Sequence, residues 1–200
     1  MALSFRSRSL LVRLLAALSG LALLAVTVLL MLDQRYPPDL ARARDLSPVV
    51  LDRKDRLLRA FTTADDTWRL PVTTDAVAPR YFTMLQHYED NRFFYHPGVD
   101  PLALLRAVAQ WAFHGEVVSG ASTLTMQTAR LLEPRPRTLA SKLVEMLRAL
   151  QLEWRFSKHQ ILDLYLTLAP YGGNLEGIRA ASLAYFGKEP AHLTDAEAAL

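Results

Sequence analysis

The strongest constraint on this chain is an apolar run from Leu14 to Leu32 that contains no charged residue. Its length, about 19 residues, is close to the ~20 that an α-helix needs to cross a bilayer. Arg6, Arg8 and Arg13 stand on its N-terminal side, and basic residues flanking a span favour the cytoplasmic side. Residues 1–13 therefore read as a cytoplasmic basic tail, 14–32 as a single transmembrane helix, and the part after about Asp33 as exported. A cleaved signal peptide is the alternative, but its apolar core runs only ~7–15 residues. No small-x-small cleavage site follows Met31-Leu32-Asp33, so an uncleaved anchor is the better reading.

Composition bounds the rest. A length of 200 residues suits one domain beside that anchor. Hydrophobic residues make up 51% of the chain, and the excess must lie in a membrane or in a large core. A net charge of +3 is too small to point to nucleic acid, and no strip alternates basic and aromatic residues. The absence of cysteine leaves the redox compartment unread. Glu197-Ala198-Ala199-Leu200 reads as the first turn of a helix. The expectation is that the sequence is the N-terminal portion of a longer protein, with its last domain incomplete.

Residues 33–78 are punctuated by Pro37-Pro38, Pro48 and Pro71. They read as a linker with one small hairpin, Val49-Val50-Leu51 returning through Leu57 to Phe61. From Pro79 the pattern turns helical. Tyr81, Met84, Leu85 and Tyr88 recur at helical spacing and place Glu89 near a helix C-terminus. Leu102, Leu105, Val108, Ala109 and Ala112 mark one face of the next helix, and Gly115 and Gly120 bracket a loop. A long helix from Thr138 to Phe156 carries an apolar stripe of Leu139, Leu143, Met146, Leu147, Leu150 and Trp154. Ser157-x-x-Gln160 and Thr194-x-x-Glu197 have the form of capping boxes. The exported part is expected to be mainly α.

Three clusters carry candidate chemistry. The first, Glu89 to Asp100, sets two adjacent carboxylates beside Phe93, Phe94, Tyr95 and His96, then turns at Gly98 and opens a helix at Asp100-Pro101. The second, Gly120 to Gln127, gathers Ser122, Thr123, Thr125 and Gln127, a hydrogen-bonding set suited to sugar hydroxyls or phosphate oxygens. On spacing alone it reads equally as the cap of the following helix. The third is Lys142 and Glu145, three apart on one helix face, a pairing that is more often a solvated surface feature. Arg130, Arg135, Arg137, Arg155 and Lys158 add positive charge suited to phosphate. His96 reads as an organiser of its loop, bonding backbone or holding Glu89. His87, His114, His159 and His192 lack metal-ligand spacing, and no nucleophile elbow, Walker loop or dinucleotide fingerprint occurs.

Taken in order, these motifs resemble the peptidoglycan glycosyltransferases of glycosyltransferase family 51, whose domain occurs in class A penicillin-binding proteins and monofunctional transglycosylases. The resemblance covers residues 79–200. It rests on E-D-x-x-F-x-x-H-x-G-x-D from Glu89, G-x-S-T-L-T-x-Q from Gly120 and K-x-x-E from Lys142, then S-K-x-x-I-L-x-x-Y-L from Ser157 and the turn from Tyr171 to Gly177. Three positions depart from the family pattern: Asn91, Ser141 and Thr167.

The resemblance implies a lysozyme-like α fold with a cleft, and the substrate lipid II, polymerised into β-1,4-linked glycan. Glu89 would be the general base for the acceptor 4-hydroxyl. Glu145 would be the second catalytic carboxylate, acting near the donor pyrophosphate directly or through a divalent cation such as Mg or Mn. Lys142 and Arg130 would neutralise the leaving pyrophosphate. Ser122, Thr123 and Gln127 would line the sugar-phosphate path, and Asp90, His96 and Arg155 complete the implied substrate-binding set. The implied place is the bacterial inner membrane, crossed once, with the catalytic part periplasmic; the implied partners are lipid II, nascent glycan and other cell-wall synthesis proteins. Trp111 and Phe113 on the helix after Asp100 suit either a membrane-facing surface or core packing. A lysozyme-like hydrolase or lytic transglycosylase, using one Glu as an acid, and a non-catalytic anchored scaffold are the rival classes.

Overall fold

A computed structural model describes residues 5–114 and 122–200 of the chain. The loop bracketed by Gly115 and Gly120, and Gly120-Ala121 of the second cluster, lie outside the described residues. In chain order the helices are α1 (Phe5–Arg35), α2 (Ala41–Arg44), α3 (Pro79–Glu89), α4 (Pro101–His114), α5 (Leu124–Leu132), α6 (Leu139–Arg155), α7 (Lys158–Leu168), α8 (Ile178–Phe186) and α9 (Asp195–Ala199). The strands are β1 (Val49–Leu51), β2 (Leu57–Ala60), β3 (Trp68–Arg69) and β4 (Leu175–Glu176). Residues 1–37 form one unit and residues 38–200 another.

The first unit is α1. Val12–Arg35 is a helix long and apolar enough to cross a membrane. Leu14, Leu18, Leu21 and Leu24 are all exposed along it. Thr27 donates its hydroxyl to Leu23 O at 2.9 Å, so the polar group needs no partner outside its own helix.

The second unit is built around α7. Its start is fixed by the capping box, in which Ser157 accepts from Gln160 N and the Gln160 side chain accepts from Ser157 N. A helix apolar on most of its faces must be surrounded, and Ile161, Leu162, Leu166 and Leu168 are each 2% exposed or less. On one side Ile161, Leu162, Tyr165 and Leu168 pack with Phe93, Leu124, Leu132 and Leu152, which brings α5 and α6 against α7. On the other, Leu166 packs with Val72, Tyr81, Ile178 and Ala198, which brings in α3, α8 and α9.

Two apolar faces differ from the simplest reading of their sequences. The stripe on α6 leaves Leu139, Leu143 and Trp154 exposed; the buried positions are Ser141, Glu145, Ala149, Gln151 and Leu152. A face with a carboxylate on it can turn inward because each polar group there finds a partner: Ser141 bonds the Thr138 hydroxyl, and Glu145 and Gln151 accept from Lys142 and Arg148. On α4, Leu102, Leu105, Val108 and Phe113 are exposed, so core packing is not what holds that face.

Residues 38–78 are held to this body by charge. β1 and β2 pair antiparallel, Val49 opposite Ala60, while β3 runs parallel to β4 across the chain. Arg69, at the end of β3, is 0% exposed. Its Nε donates to Glu176 Oε2 at 2.6 Å and its Nη1 to Asp45 O at 2.6 Å; the other Glu176 oxygen pairs with Arg42. Gly177, the next residue, has φ +85°, and a Cβ there would stand 2.6 Å from Thr167 O. Only glycine brings the Glu176 strand this close to α7.

The loop between α3 and α4 is stapled by Asp100. Its carboxylate accepts from Leu102 N at 2.9 Å and Ala103 N at 3.1 Å, capping α4, and pairs with the Arg92 guanidinium. Burial by itself would raise this carboxyl, but the Arg92 and backbone hydrogen bonds outweigh it and hold it below the ordinary carboxylate range.

Two outcomes follow. Arg69→Ala leaves Glu176 short of its buried partner and should cost about 3–5 kcal/mol, read as a lower urea midpoint at unchanged slope; a loss under about 1 kcal/mol would mean the buried pair does not hold the segment. Asp100 has a folded-state pKa below its unfolded value, near 3.9, so its contribution is full above that value and fades as pH falls through the folded one. The stability gap between the parental protein and Asp100→Asn should therefore be constant from about pH 5 to 7 and shrink below about pH 4. An equal gap at both ends of the titration would place the stabilisation outside the carboxylate charge.

Candidate active site

α3 ends at Glu89 because Asp90 leaves the helical region, with φ −160°. The Asp90 side chain then fixes the following loop. Its Oδ2 accepts from Leu124 N at 3.0 Å, the first residue of α5, and both oxygens lie 3.1 Å from His96 Nε2. Asp90 and His96 are 8% and 6% exposed. The histidine therefore holds Asp90 rather than Glu89, and its Nδ1 is buried without a partner. Arg92 is committed to Asp100. Neither neighbour competes for Glu89.

α5 is positioned by the same loop. Thr123, 2% exposed, accepts from Met126 N at 3.1 Å and donates to Gly98 O at 2.5 Å; its part here is the helix cap. Gly98 has φ +85°, and a Cβ would meet Ala149 O at 2.8 Å, so the loop rides directly on the α6 backbone. Lys158 locks it from beneath, donating to His96 O and Glu153 Oε1, each at 2.7 Å, with its ammonium 4.3 Å from the Phe93 ring centre.

One turn into α5, Gln127 Nε2 donates to Glu89 Oε2 at 2.7 Å. Among the described residues no cation pairs with Glu89, which leaves its carboxylate lone pairs beyond the Gln127 contact open to the cleft that it lines. That cleft has a volume of about 1210 Å³, and Glu89, Gln127 and Arg130 line it with Tyr81, Tyr165 and Tyr171. Arg130 has no carboxylate partner among the described residues. Tyr81 and Tyr171 share a hydroxyl–hydroxyl hydrogen bond. Burial raises the pKa of all three phenols, and the Glu89 charge adds to this at Tyr81 and Tyr165. They stand protonated at neutral pH.

A second group forms on α6. Lys142 Nζ donates to Ser122 Oγ at 2.5 Å and to Glu145 Oε2 at 3.3 Å. Glu145 is 7% exposed, so the pair is no loose surface feature. Arg155 does not join it: at 1.5 Å per residue it stands about 20 Å further along α6, exposed at the helix end. Thr167, where the family pattern has Asn, takes Val72 N on its hydroxyl at 3.4 Å. The structure thus brings together Glu89, Gln127 and Arg130 in the cleft, and joins Ser122, just ahead of α5, to Lys142 and Glu145 of α6. Asp90, His96 and Thr123 hold the loop between them.

Sequence reasoning missed the phenol floor and the Arg42–Glu176 pair in the cleft wall. In the sequence Tyr81 stands out only by its helical spacing, and Tyr165 and Tyr171 only as letters of motifs. Their shared feature is convergence from α3, α7 and the turn after it, which leaves no local signal.

Among the described residues no group of three or more His, Cys, Asp or Glu could hold a metal ion alone. Glu145 offers one carboxylate, and one carboxylate completed by substrate phosphates is a donor set that Mg²⁺ accepts.

The sequence profile of the transglycosylase family matches residues 54–200. Penicillin-binding protein 1C of Escherichia coli K12 is 50% identical over 168 residues, 84% of this chain and 22% of that protein. Penicillin-binding protein 1A of Aquifex aeolicus is 37% identical over 152 residues, 76% of this chain and 20% of its own length. The biosynthetic peptidoglycan transglycosylase of Mesorhizobium japonicum is 38% identical over 145 residues, 72% of this chain and 60% of that protein. The chain spans about a fifth of the length of these penicillin-binding proteins. With the profile covering most of its length, the chain belongs to the transglycosylase family.

Proposed function

We propose that this chain forms the catalytic part of a peptidoglycan glycosyltransferase that polymerises lipid II into β-1,4-linked glycan with release of undecaprenyl pyrophosphate. The observation that carries the reading is the setting of Glu89: a carboxylate lining a large cleft, held by the neutral amide of Gln127, with Arg130, which has no carboxylate partner among the described residues, in the same wall. Glu89 takes the proton of the acceptor 4-hydroxyl as that oxygen attacks the anomeric carbon of the donor. The bond to pyrophosphate breaks with inversion, and Arg130 and Lys142 offset the charge that leaves. Glu145 keeps Lys142 in place; where a divalent cation accompanies the pyrophosphate, this carboxylate would hold it.

Two features favour synthesis over glycan hydrolysis. A hydrolase needs a protonated acid at the scissile bond, whereas this cleft pairs a base with cations suited to a pyrophosphate leaving group. The substrate is lipid-linked, and α1 would keep the site at the bilayer that contains it. Arg6, Arg8 and Arg13 ahead of the span favour a cytoplasmic N-terminus and a periplasmic catalytic part in the inner membrane. Nascent glycan and other cell-wall synthesis proteins are the partners this placement supports.

In the full-length protein, Glu89→Gln should fold and bind lipid-linked donor analogues as before, because the amide keeps the shape of the side chain. Polymerisation of labelled lipid II should fall by roughly 10²–10⁴-fold, the effect of losing one general base. Near-parental polymer formation would end this mechanism, and cleavage of preformed glycan by the parental protein would favour the hydrolase. For orientation, protease added to spheroplasts should remove the part after α1; full protection would reverse the topology.

A further inference from the structure

We propose that the Tyr165 hydroxyl donates a hydrogen bond to a hydroxyl of the acceptor sugar beside Glu89, making Tyr165 a substrate-contacting residue. The inference rests on the reading of the cleft given above. Tyr165 sits on α7, its ring packed in the core with Leu124, Leu132 and Leu162. The residue is 9% exposed, yet it lines the cleft. Its two phenolic neighbours each have a partner, since Tyr81 and Tyr171 share one hydroxyl–hydroxyl hydrogen bond. Among the described residues, no group hydrogen-bonds the Tyr165 hydroxyl.

A buried hydroxyl left without a partner is costly. The one buried side-chain polar atom in that condition among the described residues is His96 Nδ1. The Tyr165 oxygen therefore reaches the cleft, carried there on a ring that the core holds rigid. Burial, the nearby Tyr81 and the Glu89 charge all keep the phenol protonated, against a weaker opposite pull from Arg130. The cleft thus holds a donor on a rigid ring, the phenol, together with the acceptor Glu89, close enough for the Glu89 charge to act on Tyr165. Sugar hydroxyls are the substrate groups that answer both, donating to the carboxylate while accepting from the phenol. A phosphate oxygen would answer the phenol and be repelled by the carboxylate.

The test is Tyr165→Phe in the full-length protein. The core loses no hydrogen bond, so the melting temperature should match the parent. The rate of lipid II polymerisation should fall about three- to tenfold, the weight of one neutral hydrogen bond, while affinity for a lipid-pyrophosphate donor analogue stays unchanged. Parental polymerisation by Tyr165→Phe overturns the assignment while leaving the cleft reading intact. A lowered melting temperature with parental turnover per folded molecule overturns it too, since the hydroxyl would then be structural. Weakened donor-analogue binding at an unchanged rate moves the contact to the pyrophosphate and also overturns it. A parental protein that makes no polymer overturns both readings.

Discussion

The site depends on one buried contact, the carboxylate of Asp90 on the first amide of α5. The N-terminal end of a helix leaves amides without internal partners and carries a partial positive charge, so a carboxylate placed there is doubly favoured. The contact joins the residue after Glu89 to the residue three before Gln127. Once it forms, the end of α3 and the first turn of α5 have little freedom, and Glu89 comes within reach of the Gln127 amide. His96 closes the other side of Asp90, and Thr123 ties the α5 cap to Gly98. Residues that look like ligands in a motif thus work as the frame that aims one carboxylate.

That division explains which parts of the site were legible in the sequence. Glu89 was marked by a helix ending against a run of aromatics, and Gln127 by its place in a short run of hydroxyl and amide side chains. Both signals are local. The roles of Asp90 and His96 were not local, because what distinguishes a sugar contact from a buried brace is the atom at the other end, here a backbone amide 34 residues away. Lys142 and Glu145 could be placed on one helix face, but whether that face looked to solvent depended on α6's rotation about its axis. The large apolar residues pointed one way and the core took the other, since Leu152 packs with residues of α5 and α7 while Glu145 brought its own cation.

The fold was readable in the same uneven way. Helix starts written in capping boxes, Ser157-x-x-Gln160 and Thr194-x-x-Glu197, stand where the sequence puts them because both partners lie within one turn. The attachment of residues 38–78 had no such signature. Arg69 meets Glu176 across 107 positions, and a lone arginine in a proline-punctuated stretch resembles any solvated one. Its complete burial follows from the β3–β4 pairing and from the close approach at Gly177, neither of which a periodicity can report. The same pairing places Arg42 and Glu176 in the cleft wall, so the segment that read as a connector also shapes the site.

The two carboxylates of the candidate site end in opposite electrostatic settings, and this asymmetry separates their parts. Glu145 is nearly enclosed and its charge is offset by Lys142, itself bonded to Ser122; burying such a group without that cation would cost several kcal/mol. Glu89 is only half-buried, has no cation paired to it among the described residues, and is steadied by an amide that carries no charge. A group whose charge is already compensated is suited to holding a cation still. A group with its charge open to the cleft is suited to receiving a proton. The loop from Asp90 to Asp100 is stapled at both ends: its own carboxylates are taken up by backbone amides, His96 and Arg92, and Glu89, at the end of the helix before it, is left to line the cleft.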